Sequence, residues 1–408
     1  MKPFKILTRT ILLVSIISLF NDIASEMLYP VLPVYLRSIG FSVMLIGILE
    51  GIAEAAAGLS KGYFGQLSDV RQKRAPFVRW GYTFSAISKP MMAIWTFPLW
   101  IFFTRTLDRF SKGIRTGARD AMLSHETTPE HKGMVFGFHR GVDTVGAAIG
   151  PVLALIFLYF YPHHYKMLFF IAFFPGIIAV SISLFLNDKK NGSSAQESTI
   201  PPVPLKKIGF LSYLKYWNKA SPGFRYLVTG LLVFTLFNSS DIFLLLALKN
   251  RQMTDTQMIG FYIFYNLVYA LLSFPAGIIA DRIGLRTILV FGLIMFAVVY
   301  FFMGFATTFL AFGVLFVLYS VYTASTEGIS KALITNLAEK SETATAIGFY
   351  DSCVSICTMI ASSIAGVFWF TLGPQWMFVI SGVGAFCVAM YLAIVFRKLK
   401  VSLTTKAH

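Results

Sequence analysis

Charge is scarce in this sequence: Asp, Glu, Lys and Arg make up 13% of 408 residues, against roughly 25% in an ordinary soluble domain. A soluble fold of this size must face water over its whole exterior, so the shortage argues against one. Cysteine is nearly absent. Cys353, Cys357 and Cys387 all lie inside apolar stretches and read as small core residues, not as disulfide partners or metal ligands. There is no metal-spaced His/Cys cluster, no phosphate-cradling glycine loop followed by Lys-Ser/Thr, and no Ser-His-Asp set. ATP-driven transport and membrane hydrolysis are therefore disfavoured, no cofactor or metal is implied, and the chain does not read as an enzyme. Acid is the scarcer sign, with 19 Asp and Glu against 35 Lys and Arg, a net charge of +16. In a soluble protein that excess would suggest nucleic acid. Basic loops flanking membrane helices account for it better, and no nucleic-acid partner is expected.

Apolar residues supply 56% of the chain, and they come in blocks. A helix crossing a ~30 Å hydrocarbon core needs about 20 mostly apolar residues. Crossings are expected at 10–37, 43–67, 76–97, 98–123, 134–160 and 165–186, then at 223–248, 257–280, 287–304, 307–335, 345–370 and 375–396. Lys2, Lys5 and Arg9 before an apolar run imitate a signal peptide. The run continues to about Leu36 without an Ala-x-Ala site, so a retained first helix is expected. One long polar stretch, NDKKNGSSAQEST with PPVPLKK, separates the two sets and reads as a flexible linker. The reading is an all-α membrane protein of twelve transmembrane helices in two six-helix pseudo-repeats. The bundles fall at 1–186 and 223–408, joined by a linker at 187–222. Basic residues crowd the N-terminus, Arg71 to Arg74, the linker, Arg282 to Arg286 and the tail, which places both termini and the linker in the cytoplasm of a bacterial inner (plasma) membrane. The expected surroundings are the lipid bilayer, with the chain a monomer.

The halves repeat one another. Gly65-Gln-Leu-Ser-Asp69, followed by Lys73-Arg74, returns as Gly277-Ile-Ile-Ala-Asp281, followed by Arg286, at an offset of 212. Asn21 is echoed by Asn238 at 217, and Gly137-Phe138 by Gly348-Phe349 at 211. Parallel six-helix repeats with a site between them are a recurrent transporter plan.

At these residues the chain resembles the major facilitator superfamily. The Gly65 loop is similar to that family's Gly-x-Leu-Ala-Asp-x-x-Gly-Arg-Lys element, with Gln72 in place of the inner glycine, and the Gly277 copy fits better. Gly146-Ala-Ala-Ile-Gly150-Pro151 resembles the fifth-helix motif of its proton antiporters, and Arg109-Phe-Ser-Lys112-Gly113 its fourth-helix Arg-x-x-x-Gly element. Physically, the small Gly65 and Gly277 permit close helix approach. Asp69 and Asp281 at helix ends can meet the positive N-terminus of a neighbouring helix. Gly150 and Pro151 would bend or stiffen the fifth helix. With Arg74 and Arg286 these residues form a candidate conformational latch.

Ionisable groups at bilayer depth cost about 2.5–3.5 kcal/mol each on insertion scales. Asp22 and Glu26 lie one turn apart on the first helix, and Glu50 and Glu54 on the second, where they could pair with Lys61 or Lys89. Arg105, Asp108, Arg109, Lys112, Arg115 and Arg119 share one face of the fourth. His139, Arg140 and Asp143 follow on the fifth, Glu327 and Lys331 on the tenth, Asp351 on the eleventh. The resemblance implies that the first, fourth, seventh and tenth helices line a central cavity. Candidate substrate contacts are Arg109, Lys112, Asn21, Asn238 and Glu327; candidate proton carriers are Asp22, Glu26, Glu54, His139 and Asp143. The alternative is a buried ion network bracing the N-terminal half. The aromatic residues read as lipid-facing and interfacial, or at most as cavity walls. The expected function is secondary active transport by alternating access, coupled to protons. The Gly-Pro motif leans towards antiport export of an amphiphilic organic compound, and the cationic face towards an anionic one. The alternatives are proton-symport import of an organic anion (a carboxylate, a phosphate-bearing metabolite or a siderophore) and, less favoured, a lipid flippase.

Overall fold

The computed structural model describes residues 6–29, 31–188 and 209–404. Among these, every regular element is a helix: α1 (Arg9–Leu28), α2 (Leu32–Ser38), α3 (Val43–Val70), α4 (Ala75–Ile94), α5 (Pro98–His125), α6 (Lys132–Phe160), α7 (Tyr165–Ser183), α8 (Tyr216–Lys219), α9 (Pro222–Phe237), α10 (Ile242–Asn250), α11 (Asp255–Ile283), α12 (Leu285–Met303), α13 (Phe309–Leu337), α14 (Thr343–Thr371) and α15 (Pro374–Thr404). The short α2 continues α1, and α10 continues α9. Twelve crossings result, six in each half.

Local signals set the ends. Thr8 accepts from the Ile11 amide at 3.3 Å and Ser42 from Leu45 at 3.1 Å, each capping a helix start. Thr254 and Gln257 form a reciprocal capping box at the head of α11. Nine described helical spans are long and apolar enough to cross a membrane by length and composition. The other three crossings, α3, α4 and α5, carry most of the charged residues found within the helices of the N-terminal half.

The seventh crossing departs from expectation. In place of a continuous helix over 223–248, the chain breaks at Asn238-Ser239-Ser240-Asp241. Short polar side chains compete with the backbone ladder there: Ser240 Oγ accepts from the Ile242 amide at 3.4 Å, and the Asn238 side chain donates to Tyr322 at 3.0 Å. The linker departs too. Residues 189–208 of it lie outside the described residues, whereas Ser212–Lys215 and α8 fold into turns docked on the helices. Burial of Tyr213 and Tyr216 drives this, with the Tyr213 ring lying over Gly62 of α3.

The outer surface suits lipid; Phe370 is 92% and Tyr159 81% exposed. Many aromatic residues are nonetheless internal. Phe234, Phe296, Tyr300, Tyr319 and Tyr322 form a buried ring cluster in the C-terminal half, with Phe296 and Tyr300 stacked at 4.0 Å.

The halves meet closely at one end, where α3 packs on α14 and α6 on α11. A Cβ on Gly65 would strike the Ala344 carbonyl oxygen, and one on Gly277 the Gly133 carbonyl oxygen. Gly348 faces Lys61 and Gly62, and Gly137 faces Ser273 and Gly277, so the contact repeats with the internal symmetry of the chain. This end carries the basic loops 71–74 and 282–286.

Candidate functional site

Helix α5 brings its cations to one face because their spacing follows its turn. Arg105 grips Glu50 of α3 with two bonds, Nε to Oε1 at 2.6 Å and Nη2 to Oε2 at 2.8 Å. Arg109 lies 3.2 Å from Glu54 and 3.8 Å from Glu50. Asp108 turns to α4, where it accepts from Ser85 and Ser88 and lies 3.6 Å from Lys89. Arg115 stacks over the Tyr82 ring at 4.6 Å. The expected pairing of Glu50 and Glu54 with Lys61 or Lys89 is therefore corrected. Their partners are Arg105 and Arg109, because α5, not α4, faces α3 at this depth; Lys61 instead donates to Ser355 at 3.1 Å.

A cavity of about 60 Å³ opens beside these pairs, lined by Asp22, Glu26, Tyr29, Arg105, Arg109 and Lys112 among others. Lys112 is exposed to it, and its side chain has no ion pair or hydrogen bond among the described residues. Asp22 and Glu26 line the same cavity, with no cation within ion-pair distance among the described residues. Asn21 is buried, donates to Asp22 at 3.3 Å and does not line this cavity.

A larger cavity of about 290 Å³ lies in the C-terminal half, lined by Arg140, Asn238, Tyr322, Glu327, Lys331 and Tyr350 among others. Asn238 Oδ1 is buried without a partner. Glu327 accepts from Tyr269 at 3.0 Å and lies 3.5 Å from Arg140 of the other half. Arg140 also donates to Asp143 Oδ2 at 3.1 Å. His139 is buried, its Nδ1 3.3 Å from Ser15 Oγ and its Nε2 unpartnered. Asp143 thus turns to Arg140, and not to the histidine one turn away.

A polar link between the halves runs through Asp120, a residue that sequence reasoning misses. Lys331 of α13 pairs with Asp120 of α5 and with Asp351 of α14 at 3.3 Å, while Arg119 donates to Asp120 at 2.9 Å. All four are buried. The cationic pattern of α5 draws attention to Arg119 and hides its acidic neighbour. Tyr269, the partner of Glu327, is likewise lost among the many aromatic residues of the chain.

Nearer the closed end, Asp69 accepts from the Thr345 amide at 2.7 Å and its hydroxyl at 2.9 Å, capping α14 of the opposite half. Arg74 lies 3.1 Å from Asp69. Asp281 accepts from the Gly133 and Met134 amides at 2.8 Å each, capping α6. Arg286 does not copy Arg74; it stacks over Phe396 at 5.5 Å. Gly150 sits against Ile23 and Met27 of α1, and α6 runs unbroken through Pro151.

The model of the Major Facilitator Superfamily matches residues 14–264 and 227–407 of the chain. An uncharacterised MFS-type transporter of Methanocaldococcus jannaschii is 31% identical over 392 residues, which is 95% of this chain and 94% of that protein. The crystal structure of the human organic anion transporter MFSD10 (TETRAN) superposes with a TM-score of 0.78 at 18% identity, covering 94% of this chain and 99% of that one. The Escherichia coli fucose:proton symporter FucP superposes with a TM-score of 0.74 at 11% identity, covering 94% and 98%.

Proposed function

The chain belongs to the major facilitator superfamily and is a multi-pass membrane transporter; from that premise we propose that it exports an amphiphilic organic anion in exchange for protons. One observation carries the substrate class. Of the cations around the N-terminal cavity, Arg105 and Arg109 are met by glutamates and Lys89 by Asp108, and Arg115 lies over Tyr82. Lys112 stands exposed to the cavity with no partner among the described residues. A cation at membrane depth with no counter-ion in contact is costly, and an anionic substrate group would relieve that cost. The C-terminal cavity, part aromatic and part polar, suits the rest of such a molecule, with Asn238 Oδ1 free to accept a hydrogen bond. In this reading both termini and the basic loops lie in the cytoplasm, so the closed end is cytoplasmic.

Lys112→Gln should raise the Km for the anion on the order of tenfold to a hundredfold, the equivalent of a charged hydrogen bond of about 1.5–3 kcal/mol. Proteoliposomes with an imposed pH gradient and a panel of labelled organic anions and cations measure this. Unchanged Km, or cations competing well, would sink the anion assignment. The sign of the gradient that drives accumulation separates antiport export from symport import.

In the same reading Asp69 and Asp281 latch the closed end. Asp69→Asn keeps one acceptor for the Thr345 amide but loses the charge, at a cost of about 0.3–1 kcal/mol, and up to ~2 where partly buried. Transport should fall while the melting temperature barely moves. Normal transport by this variant would reduce Asp69 to an ordinary cap.

A further inference from the structure

We infer that Asp22 of α1 and Asp143 of α6 hold a single proton between them, and that this proton governs whether Arg140 reaches across to the other half. The inference rests on the proton-driven reading above and gives it a location.

The carboxyl groups of Asp22 and Asp143 meet within hydrogen-bonding reach. They cannot easily draw apart, because Gly146 lets α6 lie directly on α1: a Cβ there would come within 3.2 Å of Asp22 Cβ. Asp143 Oδ2 takes a hydrogen bond from Arg140, but Oδ1 is buried with no partner. Two touching carboxylates resist ionising together, and a proton on one satisfies the orphaned oxygen of the other. Asp22 also lines the N-terminal cavity, which gives that proton a path to water.

The remaining charges nearby are already engaged or point elsewhere. On α5, Arg119 is held by Asp120 and Ser18, and on α4, Lys89 lies against Ser85 and Asp108. His139 of α6 faces Ser15, and Glu26 of α1 adds a further negative charge. Two cations can respond to a new negative charge: Lys112 across the cavity, and Arg140. Arg140 divides its guanidinium between Asp143 and Glu327 of α13, which is also held by Tyr269 of α11. When the shared proton leaves to water from Asp22, two carboxylates remain. Arg140 then withdraws towards Asp143 and releases Glu327, so one cross-half link loosens. Binding the proton restores it.

The test needs no substrate. In the purified full chain in lipid nanodiscs, the protonated-carboxyl stretch in the infrared is followed against pH. A band should titrate that disappears in Asp22→Asn and equally in Asp143→Asn, since the asparagine amide supplies the missing donor and leaves the other acid ionised. Glu26→Gln should leave that band in place. Persistence of the band in either asparagine variant, or two bands each removed by one variant, overturns the pair. Asp22→Asn keeps the Arg140 partner and serves alone if Asp143→Asn does not fold. Wild-type transport under a pH gradient is measured separately. A shared band without proton-driven transport would leave the pair standing and sink the coupling; proton-driven transport without the band would do the reverse.

Discussion

Lys331→Met should shift the protein strongly away from the conformation described here. Arg119, Asp120, Lys331 and Asp351 form a buried chain of alternating charge that crosses from one half to the other. Removing the lysine charge leaves two carboxylates to one arginine among buried side chains. Breaking a buried pair from one side costs about 3–5 kcal/mol. A swing of ~5.5 kcal/mol converts a 99:1 population to 1:99, so the loss is large enough to open most molecules at the closed end. A cysteine at Ala344, fully buried against α3 in this conformation, placed in a background free of native cysteines, should become reactive to thiol reagents. Adding Asp351→Asn to Lys331→Met restores charge balance and should recover much of the protection. Ala344→Cys remaining unreactive in the single variant, with an unchanged melting temperature, would mean the chain of charges contributes nothing to closure.

Gly65→Ala should be nearly as severe, although it adds one carbon. The new Cβ meets the Ala344 carbonyl oxygen and, at 3.1 Å, its carbonyl carbon, and backbone cannot rotate out of the way. Overpacking of this kind costs typically about 1–3 kcal/mol, with contact against backbone at the upper end. Gly51 provides the comparison on the same helix, since nothing lies within 4 Å of the place its Cβ would take. There alanine should be neutral or gain about 0.5–1 kcal/mol of helix propensity. Hydrogen exchange in the first turn of α14 reads the difference, because the Thr345 amide is held by Asp69 only while the halves are together. Gly65→Ala should release that amide and Gly51→Ala should not. Equal protection in both would show that closure tolerates separation at Gly65.

Much of the architecture is legible without coordinates, and particular residues show where that legibility stops. Spacing of apolar blocks locates the twelve crossings to within a few residues, except that the last helix runs past the expected 396 to Thr404, and the offset near 212 reveals the repeat. Asp69 and Asp281 stand out at helix ends. Their partners do not, since Thr345 is 276 residues from Asp69 and a helix N-terminus leaves no mark on the helix that approaches it. Periodicity places Arg105 and Arg109 on one face of α5 but does not say which helix that face meets, hence the misassigned partners of Glu50 and Glu54. The break at Asn238 to Asp241 shows in the sequence only as four polar residues in an apolar run. Asp120 matters through Lys331 of the opposite half, and Tyr269 through Glu327, 58 residues further on; no local pattern encodes either pairing.

The glycines between the halves carry a mechanical consequence. Where Gly65 lies on Ala344 and Gly277 on Gly133, main chain rests on main chain, with no side chains meshed between them. Meshed side chains act as gear teeth and must repack before two helices can part. At these two contacts the surfaces are smooth, like the faces of a plain bearing, although side chains such as Phe138 and Phe274 still meet beside them. If the halves part here during transport, the hold on this end would rest largely on discrete polar catches such as Asp69 with Thr345 and Asp120 with Lys331.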